Sequence, residues 1–336
     1  MPRGVDYVKL PSVDRVSAEK YEPLSLLHCG NEVRLARSGM VTNIVTSFRP
    51  DLLVVDKRAA GINGELVESL RYLKKESPKT KIVLGIRDIL DAPKHTSRVL
   101  RENGSFNIIE EFYHEVWIYG SSEIFDSAQE YDFPANVRLK TRYCGYLQRP
   151  TSERRISSKD IRVLVTTGGG GDGSRMIETY LACLPRLRAK LSVSSTIVFG
   201  PQIDTARRDE LYARYSDLQY VKFLDFEPDL TQRYSDADVV VSMAGYNTVC
   251  ELLSHKKKAV LVPRSEPVQE QLIRARLLAD HGLFQMIEPA DLSPQTMMDK
   301  IITAAKTPSQ SMRRLDLDGL TRIRGRVRDL LKDQRA

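Results

Sequence analysis

Three stretches of the 336-residue chain carry residues whose types and spacing suit the capture of an anion or a polyhydroxyl ligand. The first is VLVTTGGGGDGSRMIETYL, from Val163 to Leu181. An apolar run leads into four consecutive glycines, Gly168 to Gly171, and a helical pattern follows Gly173. Gly168, Gly170 and Gly173 satisfy G-x-G-x-x-G between a strand and a helix, which alone is a weak dinucleotide fingerprint. The fingerprint expects an acid at the end of the next strand, but that strand closes on Phe199-Gly200-Pro201. The Walker pattern fails too, because Ser174 follows Gly173 with no lysine between them. A plain tight turn is a poor explanation, since each glycine costs about 1 kcal/mol in lost chain freedom relative to alanine. The loop therefore reads as backbone amides and a helix start presented to a negative or polar ligand.

The second stretch is DADVVVSMAGYNTVCELLSHKKKAVLVP. A strand ends at Ser242, and Gly245 precedes a helix opening at Tyr246-Asn247-Thr248. Asn247 and Thr248 are cap-type residues whose amides and hydroxyl suit a phosphate. Glu251 lies one turn on, where its carboxylate can take two hydrogen bonds from a ribose diol or simply offset the helix dipole. The third stretch, VPRSEPVQEQLIRARLLADHGL, places Glu270 and Gln271 side by side at a helix start, with Ile273, Leu277 and Leu278 on the buried side. A neighbouring carboxylate and amide suit the hydroxyls of a sugar, or are ordinary helix-start polarity. For proton transfer the chain offers Asp56 and Asp88 at strand ends. Asp88 follows Arg87, so an ion pair or a helix cap fits it as well as a general base. His95 and His114 have no partner pattern and read as surface or structural.

These residues need a frame that brings strand ends together. DLLVVD (51–56), KIVLGIRD (81–88) and EVWIYG (115–120) are short, β-branched apolar runs, and VRLKTRYCGYL (137–147) could hold a fourth strand. Between them, Leu66, Leu70 and Leu73 share one helical face. Val33, Ala36, Met40, Ile44 and Phe48 recur at helical spacing ahead of the first strand. Alternating strands and helices mean βαβ units and parallel sheets buried on both faces. RPTSERRISSKD (149–160) is polar and aperiodic, and reads as a linker. After it the alternation restarts with strands in RVLVTT, STIVFG, LQYVKFL, DVVVSM and AVLVP. The resulting division is residues 1–148, the linker 149–160, a ligand-binding domain 161–310, and an Arg-rich helix over 311–336 with Leu320, Ile323, Val327 and Leu330 on one face. Its arginines read as a solvated face. In open α/β sheets ligands bind outside the carboxyl ends of strands, where all three polar loops fall.

Lys and Arg total 51 against 44 Asp and Glu, a net charge of +7. That balance fits phosphorylated substrates or an anionic membrane face; the basic residues are too dispersed, and too free of interleaved aromatics, for nucleic-acid binding. Cys29, Cys144, Cys183 and Cys250 form no CxxC pair, which argues against a disulfide framework or zinc site and for a cytoplasmic setting. No apolar run reaches the roughly 18 residues of a membrane span.

Taken together, the glycine-rich loop after the first strand, ADVVVSMAGYNTVCEL and VLVP…EQ…RA resemble the C-terminal domain of family 28 glycosyltransferases over 161–302. The N-terminal VDYVKLPSV, RPDLLVVDK, VLGIRDILD and YCGYLQRP are similar to a bacterial subgroup of predicted glycosyltransferases. The resemblance implies an α/β GT-B fold, two Rossmann-like domains whose parallel sheets face a cleft. It implies transfer of a hexose or N-acetylhexosamine from a nucleoside diphosphate donor, UDP above all, to an acceptor hydroxyl with inversion. The acceptor stays open between a lipid-linked one, a small glycan and a metabolite. By position, Gly169, Gly170 and Gly171 would border the diphosphate and acceptor, and Leu224 would pack the uracil. Gly245, Asn247 and Thr248 would hold the diphosphate, Glu251 the ribose, and Glu270 with Gln271 the donor sugar. The family usually has two glutamines at that last pair, so Glu270 is a departure. Neither a metal nor a cofactor is implied. The family's opening strand and its GxGH-type loop have no counterpart after Met1, so the first domain reads as truncated, with apolar surface left exposed. A hydrolase or epimerase of the same fold, or a non-catalytic nucleotide-sugar-binding protein, are the alternatives. Peripheral contact with the inner face of an anionic membrane is a further expectation.

Overall fold

The computed structural model describes residues 4–16, 21–24, 30–154, 158–169, 171–308 and 315–332. The chain divides into two compact units. The first comprises Met1–Ser122, Asp126–Cys144 and Thr321–Ala336, and the second Glu123–Phe125 and Gly145–Leu320.

In the first unit a short antiparallel pair, β1 (Val13–Arg15) and β2 (Tyr21–Pro23), precedes a four-stranded parallel sheet. Its strands are β3 (Leu52–Asp56), β4 (Lys81–Arg87), β5 (Glu115–Tyr119) and β6 (Thr141–Tyr143), hydrogen-bonded in that order. β4 and β5 run through the centre, and Ile82 to Ile86 and Glu115 to Ile118 are buried throughout, as strands covered on both faces require. The expected helix after β3 is Val67–Glu76, with Leu70 and Leu73 buried. The fourth expected strand is only Thr141–Tyr143, because helix Ala135–Lys140 takes the residues before it.

The helix Gly30–Phe48 corrects one expectation. It buries Val33, Arg37, Ser38 and Val45, while Ala36, Ile44 and Phe48 of the apolar spacing are exposed. Arg37 is held by the paired oxygens of Glu65 (2.5 and 2.9 Å) and by the Pro11 carbonyl, so an ion pair sets the helix orientation. Among the described residues no strand pairs with the far edge of β3, where Val54 is also exposed.

The Arg-rich helix is Gly319–Lys332. Ile323, Val327 and Leu330 pack on Val83, Trp117 and Cys144, so the helix closes one face of the first unit's sheet. Arg326 is not a solvated arginine: its guanidinium grips buried Glu115, which also accepts from the Trp117 indole at 2.7 Å.

The second unit has a six-stranded parallel sheet in the order β12, β11, β10, β7, β8, β9. The strands are β7 (Ile161–Thr166), β8 (Val193–Val198), β9 (Val221–Leu224), β10 (Val239–Ser242), β11 (Lys258–Leu261) and β12 (Gln285–Met286). The order turns at β7, which lies between β8 and β10, and this is where the chain's two crossover directions part. One face packs Val163, Val165, Val193, Ile197, Val239, Val241 and Val260 against helices Ser174–Arg188 and Pro294–Lys306. On the helix Glu270–Asp280, Leu272, Ala275 and Leu278 are buried, while expected Ile273 and Leu277 are half-buried, because Gln271 and Arg274 take the inner positions.

Candidate functional site

The site forms in the second unit, at the carboxyl ends of β7, β10 and β11. The glycine loop leaves β7 at Thr167, and Gly168 turns it with φ +69°, a left-handed backbone that side chains disfavour. A Cβ at Gly168 would lie 3.6 Å from the Thr248 hydroxyl, and one at Gly245 would lie 3.9 Å from the same oxygen. The glycine loop and the start of helix Tyr246–Ser254 thus converge on Thr248, from chain positions 80 residues apart. Gly169 and Gly171 are exposed; the Gln202 amide donates to the Gly169 carbonyl at 2.9 Å and its side chain lies beside both glycines. Gly170 lies outside the described residues.

The helix Tyr246–Ser254 has no side-chain cap, and its first internal hydrogen bond runs from Val249 N–H to the Gly245 carbonyl. Its opening amides and the half-exposed Thr248 hydroxyl are therefore presented at the positive end of the helix dipole. Asn247 is exposed, and its side-chain oxygen accepts from the Arg149 guanidinium at 2.9 Å. Arg149 is further anchored by its amide, which donates to the Ser254 hydroxyl at 2.8 Å. Its Nε is buried without a hydrogen-bond acceptor. Arg149 falls in the aperiodic segment expected to be a linker, and the fold carries it to the Asn247 side chain at the helix start.

Glu251 is half-buried one turn inside. Burial pushes its carboxyl above the usual glutamate range, against the downward pull of the Tyr234 hydroxyl and of Arg149. The Tyr234 phenol is fully buried and is itself pushed well up, by burial first and then by Glu251. The Glu251 carboxylate is thus a partly desolvated acceptor steadied by one buried hydroxyl, which suits a hydroxyl-bearing ligand.

Behind this the third stretch is partly structural. The Gln271 side-chain oxygen accepts from the Ala244 amide at 3.2 Å, and fully buried Arg274 donates to the Ala244 carbonyl at 2.9 Å. Both fix the turn that leads β10 into the helix. Glu270 is bridged to the glycine loop: Arg264 contacts Asp172 at 2.6 Å and Glu270 at 3.4 Å. Glu270 Oε2 and Arg264 Nε are buried without hydrogen-bond partners. Leu224 stands apart, half-buried at the end of edge strand β9, about 14 Å across the sheet from β10 at about 4.8 Å per strand.

Of the expected proton acceptors, Asp88 is 1% exposed and its carboxylate accepts from the Ile89 amide at 2.7 Å. Asp56, at the end of β3, is exposed. His114 accepts from the Ile82 amide at 3.0 Å, a structural contact, and burial holds its imidazole below the usual range. Among the described residues no group of His, Cys, Asp and Glu is placed to hold a metal ion. No described helix is long and apolar enough to cross a membrane.

Residues 162–317 match the glycosyltransferase family 28 C-terminal domain. The UDP-N-acetylglucosamine--N-acetylmuramyl-(pentapeptide) pyrophosphoryl-undecaprenol N-acetylglucosamine transferase of Haemophilus influenzae is 29% identical over 153 residues, which cover 45% of this chain and 42% of that protein. The protein of the same name from Pasteurella multocida is 27% identical over 167 residues, 49% of this chain and 45% of that one. The chain thus spans under half the length of these curated relatives. Among solved structures, Acinetobacter baumannii MurG aligns with a TM-score of 0.55 at 16% identity, covering 86% of this chain and 74% of that one. The calicheamicin glycosyltransferase CalG4 aligns at 0.59 and 14%, covering 90% and 78%. A putative UDP-N-acetylglucosamine 2-epimerase from Listeria monocytogenes aligns at 0.61 and 7%, covering 90% and 80%. At these identities the structural matches establish the fold, shared by the GT-B glycosyltransferases. The α/β chain has that fold, and its second unit carries the match to the glycosyltransferase family 28 C-terminal domain.

Proposed function

We propose that the second unit binds a nucleoside diphosphate sugar, UDP-linked, and that the chain transfers its hexose or N-acetylhexosamine to an acceptor hydroxyl. The observation that carries this reading is the convergence of Gly168 and Gly245 on the Thr248 hydroxyl, with the Arg149 guanidinium bound to the neighbouring Asn247 side chain. Backbone amides, a hydroxyl and a fixed cation there supply what a diphosphate needs. Glu251 accepts from the ribose hydroxyls, Leu224 supports the base, and Glu270 with Gln271 meets the sugar. Gln271 offers its amide nitrogen, since its oxygen is engaged by Ala244.

In the proposed reaction the acceptor oxygen attacks the anomeric carbon as the bond from that carbon to the phosphate oxygen breaks. The bonding electrons leave with the diphosphate, whose growing charge the helix start and Arg149 stabilise. The acceptor proton passes to a carboxylate, for which exposed Asp56 is a better candidate than buried Asp88. One displacement inverts the anomeric configuration. The names of the curated relatives supply UDP-N-acetylglucosamine as the first donor to test and a polyprenyl diphosphate sugar as the first acceptor.

Calorimetry with UDP, UDP-glucose and UDP-N-acetylglucosamine tests the binding half. Absence of heat with all three, for folded protein, ends the proposal. Incubation with radiolabelled UDP-N-acetylglucosamine and a lipid extract tests the transfer half: label in the lipid phase supports it, and UDP release that needs no acceptor would assign a hydrolase instead. Contact with an anionic membrane face is proposed for the Arg-rich surface of helix Gly319–Lys332, and flotation with anionic vesicles at low salt checks it. Protein that stays at the bottom of the gradient removes that contact.

A further inference from the structure

Asn247, Glu251 and Ser254 stand at positions i, i+4 and i+7 of helix Tyr246–Ser254 and so share one face. Arg149 runs along that face. Its backbone amide donates to the hydroxyl of Ser254, the last residue of the helix, at 2.8 Å. Its guanidinium donates to the side-chain oxygen of Asn247, near the first residue, at 2.9 Å. Between the two, Glu251 feels the Arg149 charge, which pulls its carboxyl downward. Asn247 and Ser254 are separated by about 10 Å of helix axis at about 1.5 Å per residue, so the arginine must lie nearly extended to make both contacts. Where the guanidinium comes to rest therefore depends on where the backbone is held.

Ser254 is suited to hold it. The residue is buried, and its hydroxyl proton is committed to the Cys250 carbonyl one turn back, at 2.6 Å. The oxygen's lone pairs are left to accept, and the Arg149 N–H reaches them. The residues that follow Arg149 are fastened to the same unit. The Ser235 hydroxyl donates to the Ser152 carbonyl at 2.7 Å and lies 2.9 Å from the Ser152 hydroxyl. The Gln232 side chain donates to the Glu153 carbonyl at 3.2 Å, and Arg154 pairs with Asp238 at 2.6 Å. The aperiodic segment is thus a strap bound down at residues 149, 152, 153 and 154, and the Ser254 bond is the one that holds the Arg149 amide.

We propose that Ser254 is a positioning residue for diphosphate binding: its hydroxyl holds the Arg149 backbone at the far end of the helix and so aims the guanidinium at the helix start. The inference rests on the diphosphate reading of that site. Without the hydroxyl, the Arg149 amide loses its acceptor, the strap is free to shift, and the guanidinium loses its alignment with a bound diphosphate.

The test is a double-mutant cycle on the full chain, read by calorimetry with UDP at constant ionic strength. Ser254→Ala should weaken UDP about three- to tenfold, in line with the loss of one hydrogen bond. Ser254→Thr, which keeps the hydroxyl, should recover most of that loss. In an Arg149→Met chain, where no guanidinium remains to be aimed, Ser254→Ala should cost less than about twofold. The Nε–Hε NMR signal of Arg149 is a readout without ligand: it should move or broaden in Ser254→Ala and stay in place in Ser254→Thr. Equal losses in the two backgrounds overturn the proposal and leave the diphosphate reading standing. So does UDP bound by Ser254→Ala as tightly as by the parent chain. No heat with UDP from the folded parent chain ends the diphosphate reading itself, and this inference falls with it. Should Ser254→Ala not fold, Ser254→Cys, of similar size but a weak acceptor, takes its place in the cycle.

Discussion

Gly168→Ala separates a loop that only turns the chain from one that leaves room for a ligand. The added methyl would meet its nearest described neighbour, the Thr248 hydroxyl, at 3.6 Å, an ordinary van der Waals distance. The folded chain therefore has space for it. The cost to stability comes from φ +69°, where an L-residue is disfavoured by about 1–2 kcal/mol. For a unit of this size that lowers the melting temperature by about 2–8 °C. The methyl occupies the gap between the glycine loop and the Thr248 hydroxyl, where the diphosphate is proposed to sit. Displacing the ligand from even one charge-assisted hydrogen bond costs about 1.5–3 kcal/mol, or about 10- to 150-fold in affinity. Gly173→Ala is the contrasting variant. Its methyl would collide with the Thr167 side chain, so it should destabilise the helix start and affect folding and binding together. The assays are calorimetry with UDP and a thermal melt of each variant. Gly168→Ala binding UDP as tightly as the parent chain would refute the placement of the diphosphate.

Arg149→Met should weaken UDP by about 10- to 100-fold, as loss of a charged partner does, while Arg149→Lys recovers part of it; equal binding by all three chains would return Arg149 to a linker role. The raised Glu251 carboxyl predicts a pH dependence, read with UDP-N-acetylglucosamine because its esterified phosphates do not titrate between pH 5 and about 8. Ribose binding needs the carboxylate, so affinity should fall as pH drops through a midpoint above about 4.3, and Glu251→Gln should abolish the dependence. The same shift favours the folded chain most below about pH 4.3 and loses that contribution as pH rises through the raised value, so the parent chain's stability should run opposite to its binding profile there, and Glu251→Gln should lack that component. In the first unit, Arg326→Met strands buried Glu115 with the Trp117 indole and the more distant Arg142. Because Arg326 is itself one-third exposed, about 2 kcal/mol and a melting-temperature loss of about 4–8 °C are expected, less than for a fully buried pair. An unchanged melt would leave the helix Gly319–Lys332 attached by apolar contacts alone.

The regularity of the sheets made them readable. A fully buried parallel strand is a short β-branched run, and LLVVD, KIVLGIR, EVWIY and IRVLVT each became a strand within a residue or two of expectation. Helix faces were harder wherever polar groups point inward. Spacing put Ala36, Ile44 and Phe48 on the inner face of helix Gly30–Phe48, yet Arg37 turns inward to Glu65 and leaves all three exposed. Nothing local marks Arg37 as buried, because its partner is 28 residues away. Gln271 and Arg274 repeat the pattern, displacing Ile273 and Leu277 because both side chains bind the Ala244 peptide. Two-residue β12 and helix Pro294–Lys306 also went unread, the first being too short to carry a period.

The candidate site divides along the same line. Gly168, Gly169, Gly171, Asn247, Thr248 and Glu251 stand at strand-to-helix junctions, where local pattern alone exposes them. Arg149 and Arg264 sit in segments without period, and only contacts to residues 98 and 92 positions away give them a place. Those two arginines change what the legible residues can do. Arg149 puts a full positive charge beside a helix start that otherwise offers only partial charge. Arg264 answers the departure at Glu270: where the family usually has a neutral amide, this chain has a carboxylate that shares a guanidinium with Asp172 of the glycine loop. One guanidinium offsets part of the charge of the two carboxylates and leaves the second Glu270 oxygen unengaged, as the proposed contact with a sugar hydroxyl requires. The same guanidinium ties the loop proposed to border the diphosphate to the helix proposed to meet the sugar. Changing the donor sugar should therefore alter loop order as well as sugar contact, a coupling that neither the glycine run nor the Glu-Gln pair announces by itself.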